Sequence, residues 1–351
     1  MGAQHLDVIV LGGGMAGATV AAHVAPGRKL ALLEREPQLA YHATGRSAAM
    51  FIPSYGSSGA QALSALSREF FHGRPLHQDA PIFTPRDVLH VARPGEVERL
   101  GSLLHAGLKT RPVSQAEALG RVPVLRPEAV EAAVIEEDCG DIDVAALHAH
   151  YIARARQAGA SIHSDLSQIR IDREGEAWKV EAADGESWAA PILVNATGAW
   201  ADETARQAGV APLGLEPRLR TAVVAPAPAF TDFLVWPTVM SIAGDYYFRP
   251  FGGQLLMTAC DAWPSAPCDA APDPIGVAQA IERFERATRL NAPSGGLRRW
   301  GGLRTFAADE APRIGWAQDA KGFLWVAGLG GFGIQTSPAV GATAAQLIET
   351  A

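Results

Sequence analysis

The sequence predicts an α/β (α+β) chain of two domains, one assembled from three separated segments and the other, more β-like, from the stretches between them. Three observations carry this. The first 34 residues run apolar strand, glycine turn, small-residue helix, apolar strand, acid. Two further strand-to-glycine turns follow at 192–200 and 325–336. Between them lie proline-rich loops and a hairpin pattern. At 351 residues the chain is long enough for two cores.

The opening unit is the most specific. An apolar run at 6–11, broken only by Asp7, feeds into Gly12-Gly13-Gly14-Met15-Ala16-Gly17, and a second run at 30–33 ends on Glu34. This is the order of a Rossmann-like dinucleotide-binding βαβ unit. Gly12 permits the tight turn, Gly14 lets backbone N–H groups reach a pyrophosphate at the helix start, and Gly17 lets the helix lie close on the sheet. Glu34 can accept hydrogen bonds from ribose hydroxyls.

The remaining elements follow in order. A small polar loop spans 41–50, and 63–71 has the spacing of an amphipathic helix. A strand is expected at 85–91 and a helix at 96–106. Ser114, with Glu117 three residues on, caps a short helix over 114–119. Asp143 heads a helix over 144–157. Strand-like alternation runs through 161–181 around Gly175, and 192–196 is a buried strand. Residues 246–250 and 254–258 form a hairpin about Gly252-Gly253. A long helix covers 275–290, a last buried strand 323–327, and a small-residue helix closes the chain. The first domain is therefore expected to comprise 1–79, 144–215 and 305–351, the second 80–143 and 216–304.

One glycine cradle suffices for NAD, whereas an extended FAD needs contacts along its whole length, including donors near the flavin where negative charge builds. Two further strand-to-glycine turns, at 192–200 and 325–336, therefore favour FAD. A composition of 48% hydrophobic and 19% charged residues describes a folded globular protein, and a net charge of −7 without a basic stripe argues against nucleic acid. Cys139, Cys260 and Cys268 show no metal-ligand spacing and no disulfide framework, so no metal is expected and a reducing cytoplasm fits. Association with the inner face of a membrane stays open, but no apolar run approaches the length of a membrane span and no room is left for a signal peptide before the first strand.

The stretches His42-Ala43-Thr44-Gly45-Arg46-Ser47-Ala48-Ala49, 194–200, Gly301-Gly302-Leu303-Arg304-Thr305-Phe306 and 330–337 together resemble the D-amino-acid oxidase superfamily of flavoproteins, and within it the bacterial D-arginine dehydrogenases. The resemblance implies FAD under a roof of mixed or antiparallel sheet, and with no Cys or His in an attachable place in the motifs that would flank the flavin, the cofactor is expected to be held non-covalently. It also implies oxidation of a D-amino acid to an imino acid by hydride transfer to flavin N5; the electron acceptor, a quinone or another carrier, is not identified by the sequence. It places the cofactor against Gly12, Gly14, Met15, Ala16, Gly17, Glu34 and Arg35. Further cofactor contacts are Ala43, Thr44, Arg46, Ser47, Ala48, Ala196, Gly198 and Trp200, then Gly330, Gly331, Phe332, Gly333, Ile334, Gln335 and Thr336.

A substrate carboxylate calls for bidentate arginine. Arg220 and Arg304 match the family's pair, Tyr247 a tyrosine on the same carboxylate, and Tyr55 a tyrosine on a mobile loop that closes over the substrate. Tyr246 and Tyr247 must face opposite ways on a strand, so only one can serve. Met50, Val88 and Gly331 are expected to line the side-chain pocket. The arginine-preferring pattern has histidine in place of Met50 and glutamate in place of Val88, so a neutral or apolar D-amino acid is the expected substrate. Asp87 should point away. No histidine or carboxylate stands out as a base. His42 reads as a loop or flavin contact and Glu136-Glu137-Asp138 as a solvated face. An oxidase of glycine or secondary amines, a 2-hydroxy-acid dehydrogenase and a flavin protein without turnover are the alternatives on this scaffold.

Overall fold

The strand Val8–Leu11 is buried along its whole length, as a continuous apolar run requires of a central strand covered on both faces. In the computed structural model, which describes residues 2–73, 81–105, 107–293 and 295–351, it lies third in a six-stranded sheet. The order is Ser161–His163, Leu30–Leu33, Val8–Leu11, Ile192–Asn195, Phe323–Ala327 and Arg313–Trp316, parallel except for the last strand. Period-2 alternation divides its side chains. Val8, Val10, Leu30 and Leu32 pack with residues of the helices Met15–Val24, Val144–Gln157 and Ser337–Glu349. Ile9, Leu11, Ala31 and Leu33 pack on the other side against Trp178, Val180 and Trp188 of a separate four-stranded sheet.

A nine-stranded sheet draws its strands from 88–136 and 216–306. It is antiparallel except where Thr238–Ser241 runs parallel to Val88–Ala92. The helix Pro274–Ala287, capped by Asp273, covers one face through Val277, Ala280, Phe284 and Ala287. Phe284 meets Phe248 edge-on at 5.2 Å. A small sheet of Met50–Phe51, Gly140–Ile142 and Phe83–Pro85 lies beside the loop that precedes Met50.

Local signals place most elements well. Ser114 accepts from the Glu117 N–H at the head of Gln115–Arg121, and Asp143 from Ala146 N–H at the head of Val144–Gln157. The differences have physical causes. The strand expected at 85–91 is two, Phe83–Pro85 and Val88–Ala92, because the chain turns at Arg86-Asp87 into another sheet. The helix expected at 96–106 is a 3-10 segment, Val97–Leu103, with Gly101 inside it, and residue 106 lies outside the described residues. The alternating stretch 161–181 divides, since Ser161–His163 joins the parallel sheet and only Ile169–Glu174 and Ala177–Ala182 form the hairpin.

Candidate active site

The glycine turn is built by close approach. Gly12 has φ +102°, and a Cβ there would stand 2.4 Å from the Ala196 carbonyl oxygen. A Cβ on Gly17 would stand 1.9 Å from the Gly12 carbonyl oxygen, so helix and turn touch backbone to backbone. The N–H of Gly13 donates to Glu34 Oε2 at 2.5 Å and that of Glu36 to Oε1 at 2.8 Å, which fixes the carboxylate beside the turn. From the other side buried His148 holds the Gly13 carbonyl through Nε2 at 2.9 Å. Burial lowers the His148 pKa, partly offset by that bond, so the ring is neutral and donates.

A cavity of about 430 Å³ opens above this turn. The helix Met15–Val24 starts on its wall without a side-chain cap on its N-terminal Gly14, while Thr44 Oγ1 accepts the Met15 N–H at 2.9 Å. Gly12, Gly14, Met15, Ala16, Glu34, Arg35, Ala43, Thr44, Arg46, Ser47, Ala196, Gly198, Trp200, Gly330, Gly331, Gly333 and Ile334 all line it. Helix N–H groups, a fixed carboxylate and glycines without side chains fit an extended dinucleotide. Arg35 stacks over Trp200 at 4.5 Å, and His42 packs on that indole while bonding Glu36 at 2.9 Å. His42 thus lies on the acidic side of the cavity. Sequence reasoning missed Leu166, Ser167 and Gln168, which enter the wall from a loop without a motif, Ile169 at the start of the next strand, and Cys268, which reaches it from the proline-rich loop.

A smaller cavity of about 80 Å³ shares Ser47, Arg304, Gly331 and Ile334 with the large one. Arg220, Arg304, Tyr55, Tyr247 and Met50 all line it. Register explains the arginines. Arg218 pairs with Arg304 and Arg220 with Gly302, so all three guanidinium-bearing positions face one side of two neighbouring strands. Arg218 is neutralised by Glu216 and Glu310. Arg220 Nε donates to the Asp261 main-chain oxygen at 2.6 Å, and Arg304 donates to the main-chain oxygens of Leu303 and Arg46. Among the described residues neither has a carboxylate within ion-pair distance. Burial and the neighbouring Arg220 cation hold the Arg304 pKa below its ordinary value, while burial also opposes the Arg220 charge but the phenols of Tyr55 and Tyr247 and the Cys260 thiol outweigh it. Two cations on one wall are an anion site. Tyr247 faces it and burial raises its hydroxyl pKa, whereas Tyr246 turns into the opposite core.

Several expected residues lie elsewhere. Val88 is fully buried and does not line the small cavity. It sits one strand further away, level with Thr238, under Met50, Ile52, Tyr55 and Met240. Thr238 and Met240 line the cavity in its place, and Thr238 Oγ1 lies 2.9 Å from Met50 Sδ. Asp87 points to Arg121 on the outside, at 3.8 Å. Gly17, Phe332 and Thr336 support the large cavity without lining it, and Ala48 and Gln335 line the small one instead. Glu136 is no part of a solvated face, being wholly buried.

A glycine-walled cavity suited to a dinucleotide, joined to a smaller pocket that carries two arginines, is the arrangement of a nucleotide-cofactor protein. The sequence profile of the FAD dependent oxidoreductase (DAO) family matches residues 7–347, and the chain belongs to that family, with FAD as its cofactor. It is 27% identical over 239 residues to a glycine oxidase of Geobacillus kaustophilus, covering 68% of this chain and 61% of that one. It is 28% identical over 327 residues to the tRNA 5-methylaminomethyl-2-thiouridine biosynthesis bifunctional protein MnmC of Burkholderia pseudomallei, covering 88% and 48%. The chain therefore spans about half to three fifths of these relatives' length. The crystal structure of L-proline dehydrogenase from P. horikoshii has the same fold, with a TM-score of 0.86 at 22% identity over 99% of this chain and 94% of that one.

Proposed function

We propose that this FAD-dependent oxidoreductase is a dehydrogenase of neutral or apolar D-amino acids. The observation that carries the reading is the pair of guanidinium groups, Arg220 and Arg304, which share a cavity wall with Tyr247 and, among the described residues, have no carboxylate within ion-pair distance. A bound α-carboxylate would supply the missing anion and fix the α-carbon against the wall shared with the large cavity. Met50, Ile52, Thr238 and Met240 would take the side chain and exclude water. When bound, FAD accepts the two electrons of the oxidation. Two cations beside the substrate amine favour its neutral form, so the amine needs little from a protein base. The narrower likeness to D-arginine dehydrogenases, and the D configuration, rest on the quoted motifs. The same reading assigns 1–79, 144–215 and 305–351 to the FAD-binding domain and 80–143 and 216–304 to the substrate domain, which the membership of the two large sheets supports.

Oxidation of glycine or a small secondary amine is the second reading, favoured by the small size of the cavity, about 80 Å³, and by the likeness to a glycine oxidase. A 2-hydroxy acid fits the arginines equally, but its hydroxyl proton needs a base, and among the described residues no histidine or carboxylate lines the small cavity. Anaerobic bleaching of the flavin by D- and L-amino acids, glycine, sarcosine and 2-hydroxy acids tests all three. D-Methionine or D-leucine should bleach fastest. Faster bleaching by glycine or sarcosine would establish the second reading, and D-arginine in first place would overturn the pocket assignment. Hydrogen peroxide released in air then separates oxidase from dehydrogenase.

A further inference from the structure

The loop that brings Tyr55 to the small cavity is tied down by side chains remote in sequence, and one of them is a wholly buried carboxylate. Glu136 ends the strand Ala132–Glu136 and stands opposite Val88 in the antiparallel register. Its Oε1 accepts the Ser54 N–H at 2.9 Å and its Oε2 the Ser54 hydroxyl at 2.6 Å. His90 Nε2, two residues along the neighbouring strand, lies 2.8 Å from the same Oε2. A buried carboxylate persists only where donors surround it, and here the donors converge on the residue just before Tyr55. Gln335 bonds both main-chain groups of Ile52, at 3.0 and 3.2 Å, and Gln61 bonds the Ser54 and Gly56 carbonyls at 2.9 and 3.1 Å. The backbone on both sides of Tyr55 is thus bonded to side chains from three other elements.

We propose that Glu136 is a positioning residue that holds the 52–56 loop in place and thereby sets the Tyr55 phenol against the arginine pair, with His90 keeping the carboxylate oriented. Glu136 has no part in side-chain recognition, because both its oxygens are engaged and it is not among the residues that line the cavity. The proposal rests on the reading of the small cavity as the substrate site. Its test therefore includes a measurement that needs no substrate.

Hydrogen exchange of the holoenzyme is followed for the peptide spanning 52–57 in the native protein, Glu136→Gln and Ser54→Ala. Ser54→Ala removes the hydroxyl without touching the sheet and serves should Glu136→Gln fold poorly. Losing a hydrogen bond to a charged group should speed exchange of this loop about tenfold, while the strand Val8–Leu11 is unchanged. KM for the best substrate of the panel should rise by a similar factor, with kcat nearly constant. In a Tyr55→Phe background the added effect of Glu136→Gln on KM should disappear, since both changes act through the same phenol. Unchanged exchange in both single variants overturns the proposal, and so does a loosened loop with unaltered KM. Should the native protein turn over nothing in the panel, the proposed function fails, and the exchange result still decides whether Glu136 holds the loop.

Discussion

Arg220 and Arg304 come from paired strands, and their charge is left over after Arg218 takes both nearby glutamates. Truncating one partner of a desolvated, charge-assisted pair costs about 2–5 kcal/mol, or on the order of a hundredfold and more in kcat/KM. Arg304→Ala and Arg220→Ala should show that loss in steady-state assays and keep the flavin absorption spectrum. Activity equal to the native protein in either would remove that arginine from the clamp. Position 88 behaves differently from its sequence-based expectation. Val88 has no exposure and faces Glu136 across the strands. Val88→Glu would bury a second carboxylate beside the first, an unpaired charge that costs about 3 kcal/mol or more. A depressed melting temperature without gain of D-arginine oxidation is expected. Met240→Glu, on the cavity wall, is the change that should admit a cationic side chain, read as the D-arginine to D-methionine ratio of kcat/KM.

The helix Met15–Val24 and its neighbours show how an element carries a pH dependence. His23 donates to the Thr19 carbonyl at 2.8 Å and His148 to that of Gly13, and burial lowers the pKa of both rings below 6.5. Between the folded value and 6.5 the unfolded chain binds protons that the folded chain refuses. Stability should therefore rise with pH across this window and be lost as pH falls below about 6.5. Melting curves from pH 7.5 to 5.5 should show a falling midpoint, shallower in His148→Asn. A flat native profile would contradict the assignment of these two rings as buried and neutral. The same element explains why Glu34 matters twice over. It lines the cavity and, through Gly13, shapes the turn.

At the scale of the molecule, the two cavities share Arg304 from a strand of the nine-stranded sheet and Gly331 and Ile334 from the turn after the last parallel strand of the six-stranded sheet, so cofactor retention reports on the assembled fold. Cys268 is the one thiol lining the large cavity, and FAD is nonetheless proposed to be held without a covalent bond. Acid precipitation should leave a white pellet and a yellow supernatant, and a coloured pellet that turns white in Cys268→Ser would show attachment there. Added FAD at a hundredfold excess over its dissociation constant should stabilise the flavin-depleted protein by about 2.7 kcal/mol, seen as a rise of several degrees in melting temperature. Among the described residues no helix is long and apolar enough to cross a membrane.

Much of this was readable in one dimension. The βαβ unit is continuous in sequence, so periodicity, the glycines of the turn and Glu34 specify it locally, as Ser114, Asp143 and Gly252-Gly253 specify their own caps and turn. Arg220, Arg304, Tyr55 and Tyr247 were legible through their motifs, and the two-residue period of a strand already required Tyr246 and Tyr247 to part. The rest depended on pairing between distant strands, which leaves no local trace. Only the register beside Thr238 removes Val88 from the cavity and puts Met240 there. Only the packing of the 52–56 loop onto the strand end turns Glu136, first of three consecutive acids, into a buried anchor. Side-chain chemistry and local spacing determine which elements form and which residue types can bind an anion or a nucleotide. Which of those residues reach the cavity is decided by tertiary register, because a shift of one strand position exchanges a wall residue for a core one.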